Sequence, residues 1–186
     1  MKYKSPIELW KLYKELNEFK QDKIDFKNID QIVFDLFLKK LTTDNINYSV
    51  SHPDNVIRWG INFDEQRAGQ IYYYQNNDDF ILDATCYRLN EEEDPLNYVR
   101  IANVFNNLLN KGKLIYYSNE NSLRYNVIIN KYALYWQPEI LDELITQHVN
   151  ISDDISRCAN LMYSTGKDPF DVVADFVNSR QGNNSN

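Results

Sequence analysis

Glycine is scarce in this chain, with 5 glycines and 5 prolines in 186 residues. Collagen-like, linker-like and largely disordered chains are excluded on that count. A glycine-rich, phosphate-cradling loop has almost no raw material, and no Gly-x-x-x-x-Gly-Lys, Gly-x-Gly-x-x-Gly or Gly-x-Ser-x-Gly occurs. Cysteine is scarcer still. Cys86 and Cys158 are too few for a disulfide framework and read as free, buried thiols. The only imidazoles are His52 and His148. No His-x-x-x-His or Cys-x-x-Cys spacing exists, so neither a metal nor an organic cofactor is expected.

Other absences bear on compartment and partners. No run approaches the roughly 18–20 apolar residues that span a bilayer. The start, Met1-Lys2-Tyr3-Lys4-Ser5-Pro6, has neither an apolar stretch nor a small-residue cleavage site. The expectation is therefore a cytoplasmic chain with no membrane span. Basic residues are the minority, 20 Lys and Arg against 27 Asp and Glu, for a net charge of −7. An acidic domain without a basic stripe repels a phosphate backbone, so nucleic acid is not an expected partner.

Aromatic residues are abundant: 14 Tyr, 9 Phe and 3 Trp. Tyrosine suits a half-buried sheet, with an apolar body and a wet tip. The length suffices for one domain with a core of its own.

The periodicities give the order of elements. Ser5-Pro6-Ile7-Glu8 is a capping box, followed by Leu9, Leu12, Tyr13, Leu16 and Phe19 at helical spacing. A second helix is expected over residues 29–42, with Ile32, Val33, Leu36, Phe37 and Leu41 on its apolar face. The pattern then changes to period two. Tyr48-Ser49-Val50 forms a short strand, ended by His52-Pro53-Asp54-Asn55. Ile57, Trp59, Ile61 and Phe63 mark one buried face of the next strand. Gln66-Arg67-Ala68-Gly69 and Asn76-Asn77-Asp78-Asp79 are turns on either side of a strand at Ile71-Tyr72-Tyr73-Tyr74. Phe80, Leu82, Ala84 and Cys86 then alternate with Ile81, Asp83, Thr85 and Tyr87. Links this short require antiparallel neighbours.

Glu91-Glu92-Glu93-Asp94-Pro95 leads into a helix carrying Val99, Ala102, Val104, Phe105, Leu108 and Leu109, with Gly112 as its left-handed terminator. Leu114 to Tyr117 and Leu123 to Asn130 read as a hairpin around Asn119-Glu120-Asn121. A three-and-four spacing from Ile140 to Met162 predicts one long helix over residues 138–165, ended by Gly166. Asp168-Pro169 starts a short last helix, and residues 178–186 read as a disordered polar tail. The fold class is α+β. An antiparallel sheet, made of a three- or four-stranded meander, a helix and a hairpin, packs with the long C-terminal helix.

Three segments carry a resemblance. Ile101-Ala102-Asn103-Val104-Phe105-Asn106-Asn107-Leu108-Leu109-Asn110-Lys111-Gly112-Lys113-Leu114 is a helix running into glycine and a strand. Leu123-Arg124-Tyr125-Asn126-Val127-Ile128 is a hairpin strand. Met162-Tyr163-Ser164-Thr165-Gly166-Lys167-Asp168-Pro169 ends the long helix. Together they resemble the YbjN family of sensory transduction regulators, whose fold is similar to type III secretion chaperones. The resemblance covers residues 29–177 and leaves 1–28 as a helical extension. It implies a non-enzymatic protein-interaction fold, often paired as a dimer, with no catalytic residues to carry over.

Candidate chemistry in the residues is sparse. His148 falls on the long helix's apolar stripe, which points to packing, and His52 precedes a proline in a turn. The carboxylates of residues 91–94 fan outward and read as a solvated helix cap. Neither cysteine has the electropositive surroundings that activate a thiol. Tyr72, Tyr74 and Tyr87 are the strongest surface candidates. Alternation sends them together to the sheet's outer face, as a protein-binding patch or as a seat for the N-terminal helix. The leading expectation is a protein-binding or regulatory domain that takes a partner segment, or a second copy, by side-chain burial or strand addition. The alternatives are a small enzyme with a spatially assembled carboxylate and tyrosine site, and a purely structural self-association module.

Overall fold

A computed structural model describes residues 28–51, 56–62, 68–76 and 79–183, with the backbone alone for residues 61, 68–76 and 180–183. The chain runs α1 (Ile29–Thr43), β1 (Tyr48–Ser51), β2 (Val56–Asn62), β3 (Ala68–Asn76), β4 (Asp79–Arg88) and α2 (Pro95–Leu108). It continues through β5 (Lys113–Tyr117), β6 (Ser122–Asn130), α3 (Lys131–Trp136), α4 (Ile140–Thr165) and α5 (Pro169–Asn183). The expected N-terminal helix, the turn at residues 52–55, and Phe63 lie outside the described residues.

The six strands form one antiparallel sheet in the order β1-β2-β3-β4-β6-β5. The first four make a meander. The β5–β6 hairpin then inserts β6 beside β4, so the sheet grows from its β4 side. This is the α+β architecture expected from the sequence.

Register shows which residues share a face. Trp59, Ala84, Tyr125 and Leu114 stand across from one another through the intervening strands. With Ile57, Leu82, Cys86, Leu123, Val127 and Ile129 they form the core face, and Trp59 is 3% exposed. Val33, Phe34, Phe37 and Leu41 of α1, Tyr98, Ile101 and Phe105 of α2, and Leu141, Ile155 and Met162 of α4 complete the same core. Ile32, expected on the buried stripe of α1, is exposed, and Ile29 and Phe34 take that place.

The helix ends follow local chemistry. The Asp94 carboxylate accepts from the Leu96 N–H at 2.9 Å, with Pro95 in the first turn. Asp168 does the same for the Phe170 N–H at 2.9 Å at the start of α5. Gly166 ends α4 at φ +65, the left-handed region that residues with side chains rarely adopt.

Three expectations are corrected, and one element is new. Gly112 has φ +75, yet α2 stops at Leu108 and Leu109 is its extended cap, so Gly112 serves the turn into β5 instead. Val99 and Leu108, placed on the apolar stripe, are exposed, and Tyr98 and Ile101 are buried there. α5 runs to Asn183, so the polar residues read as a tail from 178 onward are helical that far. The six-residue α3 was not foreseen. Its start is fixed by the Asn130 side chain, which accepts from the Tyr132 and Ala133 N–H groups at 3.0 and 3.3 Å.

Candidate functional site

β6 is longer than its hairpin partner. β5 pairs with residues 122–126, and the β6 strand continues through Val127, Ile128, Ile129 and Asn130. On the other side β4 stays paired with it to Asn130. Among the described residues, one edge of β6 is therefore bare over those four residues. Beside it lies a groove of about 520 Å³, walled by Lys111 and Lys113 at the start of β5, by Ile115 and Ile128, and by Ile140 and Leu144 of α4. Among the described residues its lining holds two lysines and no carboxylate, in a chain of net charge −7.

The direction of the backbone groups follows from α2. The Asn106 side chain donates to the Leu114 carbonyl at 2.9 Å and accepts from the Leu114 N–H at 2.8 Å. Leu114 thus turns both main-chain groups away from β6 and toward α2. In an antiparallel ladder these directions alternate, so Lys113 faces Asn126 with its hydrogen-bonding groups. Two residues on, Ile128 directs its N–H and C=O to the same edge, where β5 has ended. Its side chain is 67% exposed, against 5% for Ile129 on the core face. Asn106 also closes the outer edge of β5 at Leu114.

The groove is held from behind. Gly112 packs so closely that a Cβ there would lie 2.7 Å from both the Asn126 carbonyl oxygen and the Tyr125 ring. The Tyr125 hydroxyl donates to the Lys111 carbonyl at 2.8 Å. Tyr125 stacks on His148 of α4, ring centroids 5.0 Å apart, and its carbonyl lies 3.1 Å from His148 Nε2. Burial pushes the His148 pKa down to about 4, against the opposing pull of the Tyr125 and Leu82 main chains, so the ring is neutral at pH 7. The Cys86 thiol is pushed up to about 12 by burial, which leaves it inert as a nucleophile. Both cysteines are buried and free.

The opposite sheet face holds an ion-pair cluster. Arg124 donates through Nε to Asp83 Oδ1 at 3.0 Å, makes a second bond through Nη2 to Asp83 Oδ2, and reaches Glu120 at 3.1 Å. It also sits 4.8 Å over the Tyr117 ring. Burial raises the Asp83 pKa, and Arg124 works against that rise. The cluster ties β4, β6 and the hairpin turn together.

The three tyrosines singled out by sequence do not come together as expected. Tyr72 and Tyr74 lie on β3 in register with Asp83 and Ile81, and their side chains are outside the described residues. Tyr87 has changed face. The β4–β6 register shifts between Thr85 and Tyr87, so Tyr87 stands opposite Leu123 on the core side. Its ring stacks on Tyr98 at 5.4 Å, and its hydroxyl donates to the Glu93 carboxylate at 3.1 and 3.2 Å. Burial and the Glu93 charge raise its pKa. Glu93 is correspondingly buried and also accepts the Asn90 N–H at 2.8 Å, so it is not the solvated cap expected. Among the described residues no group of three His, Cys, Asp or Glu side chains converges as a metal site, and no helix is long and apolar enough to cross a membrane. His52 lies outside the described residues.

Sequence reasoning missed the groove, though a signal was present. The two hairpin strands read from the sequence were of unequal length, and the longer one has an unmatched end. No protein-family model matches the chain, and no curated protein matches it.

Proposed function

We propose that this chain is a non-enzymatic protein-binding domain of the cytoplasm, related to the YbjN family and built like a type III secretion chaperone. It receives an extended partner segment in the groove beside residues 127–130. One observation carries the reading: a bare strand edge, with Ile128 mostly exposed, opens onto an apolar groove. Exposed apolar surface next to unpaired backbone groups is the arrangement strand addition uses. The buried, neutral His148 and the inert Cys86 thiol favour binding over catalysis.

The test uses wild type and Ile128→Arg as baits in native cell lysate. A protein captured by wild type and lost by Ile128→Arg, with equal melting temperatures, is expected. Identical captures by the two baits, or none by either, would overturn the reading.

Self-association is proposed with it, because α2 leaves Leu96, Val99 and Leu108 exposed along one helix. Light scattering at micromolar concentration is expected to give about twice 22.1 kDa for wild type and a monomer for Val99→Asp. A monomeric wild type at every concentration would remove the pairing.

A further inference from the structure

We propose that the groove takes the free C-terminal tail of a partner protein, paired antiparallel with residues 127–130, its terminal carboxylate beside Lys111 and Lys113. This rests on the protein-binding reading above and specifies its ligand.

Three observations lead there. The first concerns the class of ligand. An apolar groove with two lysines also suits a fatty acid, but the outward N–H and C=O of Ile128 would then be desolvated without partners. A backbone group buried without a partner keeps its full desolvation penalty. A peptide backbone supplies both missing bonds, which favours a strand over a lipid chain.

The second concerns direction. A strand antiparallel to β6 runs the same way as β5 and lies in line with it, ahead of Lys113. Its C-terminal end then arrives at Lys111 and Lys113, the only charged residues among the described residues of the lining. A parallel strand would bring its N-terminal end there, and an ammonium group beside two lysines is repelled. Charge therefore selects the antiparallel direction.

The third concerns where the ligand stops. β5 already occupies the line beyond, paired with residues 122–126. Gly112 is packed against Asn126 and Tyr125. A strand in the groove cannot run on, so a chain terminus fits where an internal segment meets a wall. The bare edge accommodates about four residues, roughly 13 Å of strand. Ligand side chains at alternate positions would enter the groove between Ile128 and Leu144.

The experiment pans random heptapeptides displayed with free C-termini, in parallel with the same peptides closed by a Gly-Ser extension. Enrichment of alternating apolar residues is expected from the free-ended library only. The best synthetic peptide should bind at least about tenfold more weakly as its C-terminal amide, and about tenfold more weakly to Lys111→Glu/Lys113→Glu, since charge-assisted bonds are worth roughly a factor of ten or more. Both lysines belong to the exposed rim, and circular dichroism checks that the double variant folds. Equal enrichment from the closed library overturns the terminus assignment and leaves strand binding standing. No enrichment from either library overturns both. Dodecanoate that displaces the peptide and still binds Ile128→Pro would assign the groove to a lipid and overturn the inference. A doubled mass that Lys111→Glu/Lys113→Glu returns to monomer would seat a second copy there, with the same consequence.

Discussion

Ile128 and Ile129 are adjacent residues of one type on one strand, and they live in opposite surroundings. Ile129 is 5% exposed, in register with Phe80 on the core face. Ile128 is 67% exposed, on an edge whose partner strand has ended. The paired half of β6, residues 122–126, is held on both sides. It carries Tyr125, which bonds Lys111, stacks on His148 and packs under Gly112. The overhanging half is held on one side only. The same strand thus serves as anchor at one end and as an open edge at the other. Stability should concentrate in the first half and binding in the second.

The largest expected effect is in the anchored region. Tyr125→Ala removes a ring that is 1% exposed, and Trp59→Ala removes its counterpart on β2 from the same face. Each should cost about 3–5 kcal/mol, much of a typical domain's stability. Chemical denaturation measures this. A loss below about 1 kcal/mol for either variant would place that ring outside the load of the core.

The pH response separates the dry region from the wet one next. An unfolded imidazole takes up its proton below about 6.5, whereas His148 resists until about 4. Between those values the unfolded chain binds more protons, so stability falls as pH drops through that window and levels off below it. The contribution is up to about 3 kcal/mol at 1.36 kcal/mol per unit. Melting curves at pH 7 and pH 4.5 for wild type and His148→Gln should show the larger drop in wild type. Equal drops would mean that His148 is not the group responsible.

Gly112→Ala probes the junction of the two halves. A methyl group there meets the Asn126 carbonyl and the Tyr125 ring at 2.7 Å, with φ at +75. The backbone strain alone is of order 1–3 kcal/mol. Denaturation should register a loss of that size, and an unchanged midpoint would show that the turn has another conformation available.

The smallest effect on stability is expected at the overhang. Ile128→Ser changes an exposed side chain and should stay within about 0.5 kcal/mol. The same variant should lose most of its peptide affinity. A stability loss comparable to that of Tyr125→Ala would erase the division of labour along β6.

Several elements were legible because their signal is local. Alternation over Phe80, Leu82, Ala84 and Cys86 marked a strand face, and the caps at Asp94, Asp168 and Gly166 stand where short-range chemistry puts them. The long helix was visible because its stripe keeps step from Leu141 to Met162. Tyr87 was misread for an equally physical reason. A single extra residue in β4 reverses the parity of everything after it, and alternation alone carries no mark of such a shift. α3 was invisible because six residues are too few to show a helical period.

The sequence by itself determined the α+β class, the order of the described elements other than α3, the parity of β2 at Trp59 and the burial of both thiols, because each follows from neighbours a few residues apart. Tertiary structure alone decided that β6 inserts between β4 and β5, that Asn106 closes one strand edge, and that Lys111, Lys113, Ile128 and Leu144 wall one groove. Those residues are brought together by strand pairing and helix packing, whose partners lie far apart along the chain and carry no local periodicity.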